Sequence, residues 1–439
     1  MAGWLKRLVG AAEPAVAPAH NPAARNSAAP GAAPVAAAPL PPASAALRLP
    51  LVSALGGVAG FEFRLADAMQ ERLRLRHDPV AQAAHAIALL TAMRPTIQAN
   101  RVALATLPPD ALARDSVQKQ VAGAHLLLDP FPASPPEAWP DTALLRRCGA
   151  HVGRVVDAAS DTGADAFVVL RRGPAEFDAF ARQVARTRTQ HPQQRVFVTE
   201  IGDLEDLERV LALDVAVASA PRQPGKVATQ AAVPRPAVAH ICQVLGQLGE
   251  QQHASDVARR LGADVTLSYR LLRCVNSPAF GLSRAVASIE EAVLLVGHAG
   301  LHRWLCIALL ASADGRKVSR ALQEVSLARA RLFESLAARA GDAPQALFTL
   351  GLLSLLDVLL RRPLAEALEP LHLSGDALDA LLHARGPWAD YLALARNLEA
   401  GELDSAAACA QRFGGLDAVL PLAADAWQWA ADVTRALEA

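Results

Sequence analysis

The sequence lacks the common motifs of hydrolases and of nucleotide-binding proteins. The sequence has no G-x-S-x-G of a serine hydrolase, no G-K-[ST] phosphate loop and no G-x-G-x-x-G after a predicted strand. Metal hydrolases of the His-Asp type need an adjacent His-Asp pair, and the only such pair is His77-Asp78. Because Pro79 follows, Asp78 fits a helix N-cap with proline at the first helical position. We therefore predict a cap and no metal ligand there.

The remaining histidines and the cysteines are isolated. None of the C-terminal histidines is followed by Asp, and such residues are more often surface or hydrogen-bonded groups than metal ligands. They are His240, His253, His298, His302, His372 and His383. No C-x-x-C pair occurs, so buried thiols in a reducing compartment are predicted. The cysteines are Cys148, Cys242, Cys274, Cys306 and Cys409.

Composition bounds the class of protein. The 439 residues suggest two or three domains, at roughly 150 residues each. Basic and acidic residues both number 43, which argues against a nucleic-acid coat protein. A hydrophobic share of 52% supports sizeable cores. The longest apolar stretch, Ala346 to Leu360, is shorter than the roughly 20 residues of a membrane span and contains Asp357. A cytoplasmic protein without a transmembrane segment is predicted.

The first 46 residues form no predicted domain. On a helix, Met1 to Gly10 would place an apolar face beside Lys6 and Arg7. This pattern leaves two interpretations open: a weak peripheral contact with a membrane or a partner, or a frayed terminus, which is the more common case. Residues 11–46 are dominated by alanine and proline and predict a flexible linker.

Residues 47–222 alternate strand-like and helix-like segments, which predicts a parallel α/β sheet, either open or closed as a barrel. Helical spacing marks 78–93, 176–189 and 204–211. The residues Ala54 to Gly57 predict a hairpin between the first two strands. The predicted strands are Arg48–Val52, Gly60–Arg64, Arg101–Leu107, Ala124–Leu128, Val152–Val156, Ala166–Leu170, Arg195–Thr199 and Asp214–Ala218.

A second, proline-rich linker is predicted at 223–236, and residues 237–439 read as an all-helical domain. Ser255 and Asp264 are predicted N-caps, and Ser288 with Glu291 has the spacing of a capping box. The stretch from Ser255 to Leu272 also fits a helix-turn-helix. Its local charge of about +2 and the absence of a basic stripe argue against DNA binding.

The C-terminal region resembles HDOD domains. The resemblance rests on Leu271 to Leu282 (LLRCVNSPAFGL), Ser288 to Ala292, Leu295 to Gly297, Arg303 to Leu305 and Gly351 to Asp357. These domains are similar in fold to His-Asp phosphohydrolases but lack their metal ligands. We predict that Asn276, Ser277, Phe280 and Gly281 form a structural turn between helices, with Asn276 bonded to backbone groups. Trp304 and Asp357 are candidates for core packing and buried hydrogen bonding.

Bacterial proteins pair HDOD domains with EAL domains, which are barrels that hydrolyse cyclic di-GMP with two metal ions. The strand Gly60 to Arg64 is similar to the opening Glu-Ala-Leu strand of that family, with Glu62 at the Glu position, and Thr199 to Asp203 retains Glu200. Elsewhere the sequence departs from the family pattern. The third strand, Val102 to Leu107, has no Asn, and Val168 stands near the position of the family's Lys.

Further departures involve the acidic positions and the last strand. Asp129 and Asp157 are the only acidic candidates at the next two strand ends, and Ser219-Ala220 replaces Gln-Gly. A two-metal site needs several converging anionic ligands. The resemblance therefore implies a truncated or degenerate EAL-type barrel in which Glu62 and Glu200 are vestigial.

Together these features predict a non-enzymatic bacterial signalling protein that acts through other signalling proteins and uses no cofactor. A first alternative is a sensor that binds cyclic di-GMP without cleaving it, through arginines such as Arg64, Arg171 and Arg172. Lesser alternatives are an active phosphodiesterase and a DNA-binding regulator.

Overall fold

A computed structural model describes residues 47–64, 78–128, 141–156, 165–174, 176–221, 236–248, 254–262, 264–276, 285–313, 316–371 and 373–438. The predictions for residues 1–46 and for the second linker lie outside these ranges.

Within the described residues, eight strands close into a barrel in chain order. The first strand, β1, is antiparallel to both of its neighbours, whereas all other neighbouring pairs are parallel. All eight predicted strands are confirmed, and the choice between an open sheet and a barrel is settled as a closed barrel. The strands are β1 Leu47–Ser53, β2 Val58–Arg64, β3 Val102–Thr106, β4 His125–Leu128, β5 His151–Val155, β6 Phe167–Arg171, β7 Arg195–Thr199 and β8 Val217–Ser219.

The turn between β1 and β2 is the predicted hairpin. The amide of Gly56 donates to the Ser53 carbonyl at 2.8 Å, and the Ser53 amide donates to the Gly57 carbonyl at 2.9 Å. Gly56 has φ +80°, and a Cβ there would lie 1.7 Å from the Lys317 carbonyl oxygen. Glycine is required for both reasons, because another residue would be strained and would collide with the backbone.

Helices connect most of the parallel strands, and the three predicted ones are confirmed. Asp78 caps the first by accepting hydrogen bonds from the amides of Val80 and Ala81, so the cap interpretation is confirmed. The described helices of this region are α1 Pro79–Gln98, α2 Pro109–Leu112, α3 Asp115–Gln118, α4 Thr142–Arg147, α5 Phe177–Gln190 and α6 Leu204–Leu211.

Branched and aromatic side chains fill the barrel interior. Successive strand residues alternate between the two faces, so each strand contributes every second side chain. The buried interior cluster consists of Leu51, Val102, Leu104, Leu127, Phe167, Val169, Phe197 and Val217.

Beyond residue 219 the described residues form helices and no strand, as predicted. Asp264 and Ser288 cap their helices, but Ser255 lies inside its helix, which begins at Ala254, so that cap prediction is wrong. The helices are α7 Pro236–Gln247, α8 Ala254–Gly262, α9 Val265–Val275, α10 Ile289–Ser312, α11 Ser319–Ala340, α12 Pro344–Leu353, α13 Leu356–Leu360, α14 Leu364–Leu368, α15 Gly375–His383, α16 Ala389–Ala400, α17 Leu403–Ala410 and α18 Leu416–Glu438.

The most apolar long helix in the described residues is α10, not the stretch that the sequence indicated. By length and composition this helix could cross a membrane, but 67% of its most apolar 18-residue window is buried inside the fold. Gly297, at φ 70° and ψ 171°, kinks it. The stretch Ala346 to Leu360 is instead divided between α12 and α13.

The chain divides into two compact units. In the described part of the chain, the barrel unit lies within residues 47–246 and 306–438, and the helical unit lies within 247–305. These units cut across the predicted boundary between a barrel at 47–222 and an HDOD domain at 237–439, because residues 306–439 pack with the barrel.

Within the barrel unit, polar and aromatic contacts join α11 and α18 to the barrel. Arg101, just before β3, binds Glu324 of α11 with two hydrogen bonds of 2.5 and 3.2 Å. The amide of Ala321 donates to the Gly56 carbonyl at 2.9 Å. The ring of Phe61 meets Trp427 edge to face, with centroids 4.9 Å apart.

We expect asymmetric costs when the Arg101–Glu324 pair is broken. Arg101→Met removes the guanidinium from a carboxylate that is only 2% exposed and should lower the free energy of unfolding by about 3 kcal/mol. Glu324→Gln leaves a guanidinium that is 17% exposed and should cost about 1 kcal/mol.

Urea unfolding measures both costs. The control is Arg147→Met, whose ion pair with Asp141 spans 3.8 Å between exposed side chains and should matter by less than about 0.5 kcal/mol. Equal costs for Arg101→Met and Glu324→Gln would contradict the burial argument.

Candidate functional site at the barrel mouth

Glu62 faces the interior near the carboxyl ends of the parallel strands, the end that we call the barrel mouth. It pairs in register with Leu104, a member of the interior cluster, and is 4% exposed. Active sites of β/α barrels lie at this end because the loops after the strands converge there. The structure therefore places Glu62 where a barrel enzyme holds its catalytic groups.

An arginine of the same strand binds the Glu62 carboxylate. Arg64 Nε donates to Oε1 of Glu62 at 2.5 Å. The other oxygen, Oε2, is buried and has no hydrogen-bond partner in the described residues. Half of this carboxylate is thus engaged by a protein cation, which leaves it less charge for holding a metal ion.

Glu200 follows β7 and has a positive φ of 60°. That conformation is uncommon for residues other than glycine and costs roughly 1 kcal/mol or more. Its carboxylate forms an ion pair with Arg171 Nε at 3.3 Å, with about half of each side chain exposed. Glu200 is therefore a rim residue held against the end of β6.

Among the residues that the structure describes, few of the other strand ends supply a carboxylate. Strand alternation places Thr106, Val155 and Ser219 on the interior face, next to positions of the interior cluster. Within the described ranges no group of three or more His, Cys, Asp or Glu side chains could hold a metal ion. Asp129 and Asp157 lie outside those ranges.

The register shows which residue of β6 faces the barrel interior. Val168, taken as standing near the lysine position, pairs with Val196 and faces away from the interior cluster. Its neighbour Val169 occupies the interior instead. A shift of one residue exchanges the two faces of a strand, so Val169 and not Val168 is the interior position of β6.

Arg172 is held by the protein. Its Nε lies 3.0 Å from the Asp206 carboxylate, and its guanidinium lies over the rings of Phe177 and Phe180. This arginine fastens the starts of α5 and α6 together. Of the three arginines considered for phosphate binding, Arg64 and Arg171 therefore lie at the mouth or its rim. Arg64 binds Glu62, and Arg171 binds Glu200.

Two histidines at the opposite end of the barrel escaped the sequence analysis. His125 begins β4, lies 4.5 Å from the ring of His151, and stacks against Phe197 at 6.0 Å. Burial, together with the charges of His151 and Arg195, lowers the pKa of His125 to about 3. This side chain acts as a neutral aromatic ring that closes the barrel.

In the helical unit, Asn276 forms the backbone hydrogen bonds expected of it. Its Nδ2 donates to the Val286 carbonyl at 2.8 Å, and its Oδ1 accepts from the Val286 amide at 2.7 Å. The side chain therefore pairs with the Val286 backbone as a neighbouring strand would, and it joins the end of α9 to the residue stretch before α10. Ser277, Phe280 and Gly281 lie outside the described residues.

Trp304 and Asp357 lie in different surroundings. Trp304 is 6% exposed and hydrogen-bonds Cys274, whose pKa burial raises to about 12. Asp357, in the barrel unit, has a pKa raised mainly by burial, with Arg329 and Arg396 opposing the shift. Asp357 of α13 thus forms a charge cluster with Arg329 of α11 and Arg396 of α16.

Residues 232–369 match the HDOD domain model, so the chain contains an HDOD domain. A segment of 179 residues, 40% of this chain, is 30% identical to 43% of the uncharacterized protein YuxH of Bacillus subtilis. A segment of 183 residues, 41% of this chain, is 29% identical to 42% of the cyclic di-GMP phosphodiesterase CdgJ of Vibrio cholerae. The matches thus span less than half the length of these curated relatives.

Solved structures also resemble parts of the chain. The EAL-like domain protein YdiV aligns at 16% identity and a TM-score of 0.31, over 41% of this chain and 91% of that one. The phosphodiesterase PaMucR in complex with c-di-GMP aligns at 14% identity and a TM-score of 0.33, over 40% and 92%. A putative phosphohydrolase from Shewanella amazonensis aligns at 18% identity and a TM-score of 0.33, over 47% and 95%. Each of these alignments covers less than half of this chain.

Exchange of the Val286 amide should depend on the Asn276 side chain. Asn276→Ala removes both hydrogen bonds and should speed exchange at Val286 roughly tenfold, since a hydrogen bond contributes about 1 kcal/mol. Asn276→Asp keeps an acceptor for that amide and should have a smaller effect. Hydrogen exchange measured by NMR tests this.

Ser288→Ala is the control for Asn276. It removes the cap from the Glu291 amide and should speed exchange there without affecting Val286. Unchanged Val286 exchange in Asn276→Ala would contradict the assigned role.

Acid should destabilise the barrel through His125. With a folded pKa of about 3 and an unfolded pKa near 6.5, the unfolded chain binds the extra proton in this window, so stability falls as pH drops below about 6.5. His125→Phe keeps an aromatic ring but cannot titrate. Between pH 7.5 and pH 5 the wild type should lose about 2 kcal/mol more than this variant.

Urea unfolding at the two pH values measures the difference. His383→Phe, at an exposed position of α15, is the control and should follow the wild type. A constant difference between wild type and His125→Phe would contradict the prediction.

Proposed function

We propose that this chain is a non-catalytic bacterial signalling protein whose EAL-like barrel no longer hydrolyses cyclic di-GMP and which acts by binding other signalling proteins. The observation that carries the proposal is the 2.5 Å ion pair that joins Glu62 to Arg64 in the mouth. Metal-dependent hydrolysis needs several free carboxylates that converge on the ions. A buried carboxylate already bound by its own strand's arginine is poorly suited to that task.

Other features support the same proposal. The interior positions at the ends of β3 and β8 carry hydroxyl side chains, Thr106 and Ser219, where a metal site would use stronger ligands. We also propose a cytoplasmic location, a barrel domain at 47–222 and an HDOD domain at 237–439 that provides a protein-binding surface. No cofactor is assigned.

A cyclic di-GMP sensor is the second candidate. Arg64 and Arg171 are partly exposed and bind one glutamate each, so phosphate groups could compete with Glu62 and Glu200 for them. The relative CdgJ is named as a cyclic di-GMP phosphodiesterase. This candidate requires nucleotide binding without hydrolysis.

The charges of α8 and α9 do not support DNA binding. The two helices are formed as a helix-turn-helix requires, but Arg259 pairs with Asp256 of its own helix at 3.2 Å. Such pairing reduces the charge available for phosphate contacts, which dominate affinity for DNA.

The full chain should not linearise cyclic di-GMP with either Mg²⁺ or Mn²⁺. Chromatography that monitors formation of the linear dinucleotide provides the measurement, and Glu62→Gln is the matched variant. Hydrolysis that Glu62→Gln abolishes would overturn the non-catalytic proposal, because it would show that Glu62 serves a working metal site.

Calorimetric titration of cyclic di-GMP with Mg²⁺ into the full chain separates the two candidates. The interaction proposal predicts no saturable heat. Saturable heat would instead support the sensor if two further results accompany it. Arg64→Met and Arg171→Met should each lower the affinity for cyclic di-GMP tenfold or more, and Arg147→Met should leave that affinity unchanged.

A further inference from the structure

The barrel unit contains a cavity outside the barrel, between β1 and helices α11, α16 and α18. Its enclosed volume is about 60 Å³, and it is partly open to solvent. Aliphatic side chains form most of the wall, among them Leu332, Ala395 and Leu420. The walls thus suit a small apolar body.

One cation on this wall lacks a carboxylate partner. Arg48 of β1 lines the cavity, donates to the Ala92 carbonyl at 3.4 Å and lies 5.4 Å from the ring centre of Phe63. In the described part of the chain no carboxylate lies within ion-pair distance of its guanidinium, and Asp425 acts on it only at longer range. Arg48 is therefore available to an anion that enters the cavity.

The other charges at the cavity are already matched. Arg329 binds Glu399 through two hydrogen bonds of 2.8 and 2.6 Å and also donates to Ser354 at 2.9 Å. Asp357 and Arg396 interact electrostatically with this cluster. The Arg329–Glu399 pair neutralises itself, so it neither attracts nor repels an anion strongly.

An aromatic contact holds one wall in place. Trp427 lines the cavity, and its indole packs edge to face on Phe61 of β2. A wall packed against the barrel is preorganised, so little conformational freedom is lost when a ligand binds.

We propose that this cavity binds a small amphipathic anion, with its charged oxygens on Arg48 and its apolar body against the leucine, alanine and Trp427 walls. The site is independent of the barrel mouth and of the proposed function. A partly buried guanidinium beside an aliphatic cavity matches a carboxylate head on a short hydrocarbon chain, because each part of the ligand meets its own kind of surface.

Isothermal titration of octanoate into the full chain tests the proposal, with octanol as the neutral probe of equal length and 2-naphthoate as an aromatic anion. Octanoate should bind with one site per chain and at least tenfold more tightly than octanol. Arg48→Met should weaken octanoate at least tenfold and should remove its advantage over octanol.

Two further variants separate the cavity from other surfaces. Ala424→Leu fills the cavity without changing charge and should weaken both octanoate and octanol. Arg147→Met removes an exposed arginine and should change neither affinity.

Either of two results would overturn the proposal. One is the absence of saturable heat from both octanoate and 2-naphthoate at millimolar concentration. The other is octanoate binding that Ala424→Leu leaves unchanged, which would place the ligand elsewhere. If Arg48→Met fails to fold, Ala424→Leu and the comparison of octanoate with octanol still decide the question.

Discussion

The backbone pairing of β1 is the constraint on which the barrel unit depends. This strand runs antiparallel to β2 and β8 and closes the barrel between them. Without it β2 and β8 would be open edges, and an unpaired edge exposes backbone donors and acceptors. The same strand lines the cavity with Leu47 and Arg48, so barrel closure also positions the surface on which the C-terminal helices pack.

Arginine–carboxylate pairs then hold neighbouring elements of the barrel together. Asp165 accepts from Arg146 at 2.9 Å and from Arg154 at 2.5 Å inside the barrel domain. Arginine suits such positions because its planar group holds a carboxylate through two parallel hydrogen bonds. The Glu62–Arg64 pair in the mouth uses a single hydrogen bond, from Nε to Oε1, and leaves Oε2 without a hydrogen-bond partner in the described residues.

Local features of this fold could be predicted from the sequence, whereas long-range ones could not. The strands, the hairpin turn and the Asp78 cap depend on residues within a few positions of one another, and all were predicted correctly. Barrel closure depends on the pairing of β1 with β8, between residues near 51 and near 219. The packing of 306–439 with the barrel likewise depends on contacts such as Arg101 with Glu324, 223 positions apart.

The candidate site shows the same division. Glu62 and Glu200 could be located from local motifs, but their arginine partners and the interior direction of Val169 required the register of the barrel. Asn276 was predictable because its amide side chain suits a loop closure, whereas the charge cluster of Arg329 and Glu399 joins residues 70 positions apart. Hydrophobic periodicity predicts which face of a single helix or strand is buried. It therefore gives no information about which residues of two distant elements are in contact.

The register of β1 also ties the cavity to the mouth. Leu49 pairs with Glu62 on the interior face, and Arg48 pairs with Phe63 on the outer face. A slip of one residue would turn Arg48 into the apolar interior and expose Leu49, so both placements hold only in the observed register. The hairpin at Gly56 opposes such a slip, because its backbone is held against the start of α11. The outer cavity and the interior glutamate therefore share one structural support, the β1–β2 hairpin.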